Sequence, residues 1–223
     1  MGQIEEGLAA YAESRSLNEA LGDRDGLARN EWIAGAVAYG FVGDYEGGLG
    51  HLQQSLALSR ETGNRAMEAG SLLRVGAANV AFGDLMRGNF QDALPPANDA
   101  YGVRQRKLLW PLTLVCSLST LARVHNALGN TEEARRCAEE TLRELGALNG
   151  RGVPGVQAVY FDCYLTMHAA GAPEAGELLE KAHAAMMREA GMITDPARRE
   201  RFLSHVAMNR EIVEEWKSKR VGN

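Results

Sequence analysis

Five glycines recur along this 223-residue chain at nearly constant intervals. Gly2, Gly43, Gly88, Gly129 and Gly171 are separated by 41, 45, 41 and 42 residues. The segments they open are alike: GQIEEG, GDYEGG, GNFQDA, GNTEEA and GAPEAG. Self-similarity at a fixed period means that one supersecondary unit is copied, and a unit this short cannot bury its apolar side alone. Like units must therefore stack. Five positions beyond each turn glycine stands a small residue: Gly7, Gly48, Ala93, Ala134 and Gly176. A small side chain at a constant place lets two helices approach closely.

The unit reads as a helix hairpin. Trp32, Ala36 and Tyr39 precede Gly43, while Leu118, Leu121, Ala122 and His125 precede Gly129 at matching places. Tyr160, Cys163, Tyr164 and Met167 precede Gly171. Spacings of three and four mark one face of an α-helix. The second helix of each unit repeats too: Leu52, Leu56 and Leu58 form a stripe, and Gly22-Asp23 and Gly63-Asn64 read as helix stops. No strand-like alternation bounded by hairpin turns is found. The third unit is irregular. Its first helix aligns when counted from Gly83, through Leu72, Val75, Gly76 and Asn79. That predicts a loop over 83–94 and a second helix starting near Pro95, since proline suits a first turn and not a helix interior.

Trp32, Ala36, Tyr39, Gly43, Asp44, Tyr45 and Gly48 resemble the tetratricopeptide repeat (TPR) family: an aromatic and small-residue first helix, a glycine-acid-aromatic turn, and a small residue early in the second helix. The repeats here are longer than the 34 residues of that family and lack its closing proline. The longer form looks like the arrays beside ATPase modules in large bacterial transcriptional regulators. The resemblance implies an all-α, right-handed superhelical solenoid of TPR-like helix hairpins with a C-terminal capping helix. The array would span residues 1–191: a half repeat over 1–23, then repeats at about 24–64, 65–108, 109–149 and 152–191. Residues 192–223 would form the capping helix and tail. There Asp195, Pro196, Arg199, Phe202, Leu203, Val206, Asn209, Arg210 and Ile212 resemble the closing segment of such regulators. Ala207 replaces that pattern's proline, which predicts a continuous helix through this position.

The chain starts with the second helix of a repeat. Ile4, Leu8 and Tyr11 then need an apolar partner, supplied either by more chain in a longer regulator, the reading favoured here, or by a second copy in a homodimer.

Composition narrows the chemistry. A net charge of −5 argues against a nucleic-acid surface. Three scattered cysteines, Cys116, Cys137 and Cys163, predict free thiols in a reducing cytoplasm. There is no apolar run of membrane-spanning length. The five histidines show no metal-binding spacing, and no nucleophile elbow, dinucleotide fingerprint or phosphate loop is present. The reading is no enzyme, no cofactor and no metal. His168, four residues after Tyr164, is expected to touch it on one helix face.

The resemblance also points to a concave groove lined by the first helices, at Ile33, Val37, Phe41, Leu73, Arg123, Asn126, Phe161, Leu165 and His168. Its first half is apolar and its second half polar. Ile33 and Val37 stand where relatives that clamp a peptide carboxylate need lysine and asparagine. The expected partner is a protein or peptide. The expected role is a non-enzymatic interaction module, the C-terminal array of a bacterial signalling or transcriptional regulator. The alternative is a stand-alone sensor binding a peptide or small molecule in the groove, and a further alternative is that these positions are simply covered by neighbouring helices.

Overall fold

A computed structural model describes residues 2–86, 94–105, 111–148, 153 and 155–221. The described residues are helical, with no strand among them. Helix α1 (Gly2–Leu21) is followed by α2 (Arg24–Val37), which runs into a π-turn at Ala38–Val42, and α3 (Tyr45–Thr62). Next come α4 (Arg65–Met86), α5 (Leu94–Gln105), α6 (Pro111–Ala127) and α7 (Thr131–Ala147). Helices α8 (Val156–Ala169), α9 (Ala175–Met192), α10 (Pro196–Ser204) and α11 (Ala207–Val221) complete the chain.

The corners follow from local chemistry. Gly43, Gly129 and Gly171 have φ of 81°, 77° and 67°, and the predicted stops Gly22 and Gly63 have 66° and 70°. Left-handed backbone is cheap at glycine and costly elsewhere. The carboxylates of Asp23 and Asp44 accept from the Gly26 and Gly47 amides at 2.9 Å, capping α2 and α3. Asp195 accepts from the Ala197 and Arg198 amides, with Pro196 in the first turn of α10 as its sequence predicts. These two amides, foremost that of Arg198, hold the Asp195 carboxyl below the ordinary carboxylate range.

Consecutive helices pack in pairs, α2 on α3, α4 on α5, α6 on α7 and α8 on α9. The first helices also pack on one another, α2 on α4, α4 on α6 and α6 on α8. The core runs between these rows. Its largest cluster holds Leu114, Leu118, Leu121, Phe161, Tyr164, Leu178, Leu179 and Met186. Close approach within a pair is visible at α2 and α3. A methyl group at Gly48 would meet the Tyr39 amide nitrogen at 3.0 Å and the Gly35 carbonyl at 3.1 Å. Ser55 ties three helices together, donating to the Ala28 carbonyl at 2.7 Å and lying 2.8 Å from the Ser71 hydroxyl.

Three expectations are corrected. Helix α4 does not end at Gly83 but continues to Met86, and Gly88 lies outside the described residues. Helix α5 does open on Leu94-Pro95-Pro96, and its tight contact with α4 is Ala97 against Gly76 at 3.4 Å. In the first turn of α9 the small residue that is buried is Ala175, four places past the turn glycine. Gly176 faces the Lys219 ammonium of α11 instead. The C-terminal segment is not one helix: α10 stops at Ser204 and α11 starts at Ala207. The Ala207 amide leaves the helical ladder and donates to the Tyr45 hydroxyl at 2.6 Å. That contact replaces the bond a continuous helix would make.

Two glycines of α3 test the packing. Gly48→Ala is expected to destabilise by about 1–3 kcal/mol, because backbone must move to admit the methyl. Gly50→Ala, where nothing lies within 4 Å, is expected to stabilise by about 0.5–1 kcal/mol. Urea melts of the two variants check the opposite signs.

Candidate functional site

The predicted groove positions on α2, the π-turn, α4, α6 and α8 fall into two groups. Ile33 and Val37 are exposed, at 41% and 43%. Phe41 sits in the π-turn, but its side chain lies outside the described residues. Leu73 is buried beside Leu72, Leu56 and Cys116 and belongs to the core. Arg123 and Phe161 are buried, Asn126 and Leu165 half-buried, and His168 exposed.

Arg123 and Phe161 are covered by the chain's own C-terminal segment. Helix α10 packs on α9 and the π-turn, while α11 packs on α9 and α4. Phe202, Val206 and Ile212 enter the same core cluster as Phe161. Helix α11 reaches from α3 past α4 and α6 to α8 and α9. Its first residue meets Tyr45, its middle meets Arg123 of α6, and its last turns meet α8 and α9.

The polar contacts are specific. The Arg123 guanidinium donates to Glu211 of α11 at 2.9 Å and lies 3.5 Å from Asp162 of α8. It also lies over the Phe161 ring, 5.6 Å from its centroid. The Tyr164 hydroxyl donates to Glu215 at 2.8 Å. The Tyr164 ring stacks between Phe161 at 5.6 Å and His168 at 5.3 Å, the contact expected from the spacing of Tyr164 and His168. Beyond them the His183 and Trp216 rings stack at 4.4 Å. Burial pushes the Tyr164 hydroxyl well above its ordinary value, and the Glu215 carboxylate that accepts its proton adds to this.

The first half of the face has its own chemistry. Trp32 donates its indole N–H to the Gly70 carbonyl at 3.1 Å, and the Arg74 guanidinium lies over the Trp32 ring. Arg74 also donates to the Tyr39 hydroxyl at 2.8 Å. On the α1 side, buried Glu31 sits 2.6 Å from His51 and 3.4 Å from Arg15. The three thiols are free, and burial raises the pKa of Cys116, Cys137 and Cys163 alike, which makes them weak nucleophiles.

Sequence reasoning missed Asp162, Glu211, Glu215 and the far contact of Tyr45. One signal was legible: Glu211 and Glu215 are spaced i, i+4 and flank Ile212 on the apolar side of a terminal helix. Comparison with protein-family models gives no match, and a search of curated proteins gives no relative.

Two predictions follow from the buried charges. Arg123→Met removes the guanidinium beside the buried Asp162 carboxylate and is expected to cost about 3–5 kcal/mol, much of it regained when Asp162→Asn is added. A double-mutant cycle in urea measures the coupling. The raised Tyr164 pKa means that the folded chain holds this proton longer than the unfolded one. Its contribution is complete below about pH 10 and is lost as pH rises above it. Wild-type stability is therefore expected to fall more steeply between about pH 10 and 12 than that of Tyr164→Phe, in melts followed by tryptophan fluorescence.

Proposed function

We propose that this chain is a non-enzymatic protein-interaction module. In this reading it is a right-handed superhelical solenoid of TPR-like hairpins whose concave face receives a protein segment. It serves as the C-terminal array of a cytoplasmic bacterial signalling or transcriptional regulator. The observation that carries the reading is the row α2, α4, α6, α8: each first helix rests on the next, and the row ends in exposed Ile33 and Val37. A continuous helical face with an apolar end and a polar end is suited to an amphipathic segment.

Two further observations support it. Of the closing motif that resembles regulators, Asp195 and Pro196 start α10, and Phe202, Asn209 and Ile212 are buried. The motif is thus part of the packed array. Among the described residues no helix is long and apolar enough to cross a membrane. A second contact surface of the same module is α1, where Leu17 and Leu21 stand 54% and 78% exposed and could pair two copies.

The test is photocrosslinking inside cells. A photoreactive amino acid at position 37 is expected to give a discrete adduct with a partner protein, absent when the probe is at exposed Gln54 of α3. Ile33→Glu with the probe retained at 37 is expected to abolish the adduct while changing stability by less than about 0.5 kcal/mol, since Ile33 is exposed. Identical adducts at 37 and 54, or none at either, would refute a partner on this face.

A further inference from the structure

Helix α11 is held differently from the rest of the C-terminal segment. Phe202 and Val206, on the α10 side of the break, are buried in the main core. Beyond the break, Ile212 is the one large aliphatic side chain of α11 that is fully buried among the described residues. Met208, Val213 and Trp216 are half-buried, and Glu214, Lys217, Ser218 and Lys219 are exposed. The break itself is stabilised from both sides. Asn209 donates its side-chain amide to the Phe202 carbonyl, and the Ala207 amide donates to Tyr45. Both bonds are made by the first turn of α11, so α10 and that turn stay docked together, and the stretch that can lift away is the part of α11 beyond Asn209.

The surface under α11 is made by the array. Arg123 and Tyr164 are buried donors on α6 and α8, one helix apart in the row. They receive two carboxylates one helical turn apart, Glu211 and Glu215, on either side of the chain from Ile212. A helix with a carboxylate at i and i+4 and an aliphatic residue at i+1 carries the groups that meet Arg123, Tyr164 and the core here. The geometry points to a helix-binding groove whose resident occupant is α11. We propose that α11 is an intramolecular stand-in for a partner's amphipathic helix of that chemistry, and that the partner binds by displacing it. This rests on the interaction-module reading above and names the kind of partner it takes.

Arg123 sets the selectivity. It is already paired with Asp162, so Glu211 adds a second carboxylate to one guanidinium. The resident is thus bound by a shared cation, while a helix lacking the carboxylate loses its one charged anchor on α6. A helix with arginine at the first carboxylate position is repelled.

The experiment uses the full chain and a fluorescent synthetic peptide of the α11 sequence, residues 207–221. Opening the groove with Ile212→Asp is expected to raise peptide affinity at least tenfold over the wild-type chain. Glu211→Arg in the peptide is expected to lower binding to the opened chain at least tenfold, while Glu214→Arg, on the exposed side of the helix, leaves it unchanged. Hydrogen exchange on the unaltered chain gives a readout that needs no variant. The α11 amides are expected to exchange by local opening while α8 and α9 stay protected, and excess peptide is expected to speed α11 exchange. The proposal is overturned by α11 exchange that occurs only with global unfolding, or by indifference of the peptide to the charge swap. Dimerisation of the opened chain in place of peptide uptake would overturn it too, by making the occupant a second copy. None of these failures touches the crosslink at position 37, which lies outside the stretch that α11 covers.

Discussion

The structure depends on a sideways constraint: no first helix is covered by its own hairpin partner alone. Helix α6 shows this. Its buried residues Leu114, Val115, Leu118, Leu121 and Val124 point in directions that only several neighbours can fill, and it packs on α4, α5, α7 and α8. Helix α2 packs on α1, α3 and α4, and Ile33 and Val37 remain exposed on it. Burying an aliphatic side chain is worth about 1.5–3 kcal/mol, so every added pair stabilises the one before it. The small residues serve this constraint. Gly35 and Gly48 bring α2 and α3 so close that Leu52 fills the space between them completely.

Most of the polar bonds between helices join neighbours in sequence, as Ser55 does with Ala28 and Ser71. The C-terminal segment is the exception. It bonds across 162 positions to Tyr45, 88 to Arg123 and 51 to Tyr164. A row of hairpins has local contacts and can bend, whereas a helix laid across four of them links its ends. Long-range contacts close large loops at an entropic cost and reward the chain late in folding. Helix α11 is therefore expected to be among the last elements to dock and among the first to leave.

Charge is treated in the same way. The row buries Arg123 with Asp162, a pair that costs desolvation and returns it through geometry and the Phe161 ring. With the Tyr164 hydroxyl, this pair gives the aliphatic and aromatic surface under α11 directional contacts. Apolar walls alone accept any helix of the right width, while a buried guanidinium rejects those that bring the wrong charge.

Much of the architecture was legible in the amino-acid sequence. The helical pairs, the left-handed corners at Gly43, Gly63, Gly129 and Gly171, the cap at Asp195 and the start of α5 at the Pro95-Pro96 pair are all local events. They are governed by φ preference and by hydrogen bonds a few residues long, which a sequence carries directly. The extent of α4 past Gly83 was not legible, because one glycine inside a helix costs only about 1 kcal/mol and does not by itself end it. The break at Ala207 and the covering of Arg123 and Phe161 were not legible either. Both come from partners 40 or more positions away, Tyr45 and Ile212 among them. Periodicity tells which face of a helix is apolar, but only the folded chain decides which helix comes to lie on it, since burial rewards any apolar surface of the right shape and does not depend on its place in the sequence.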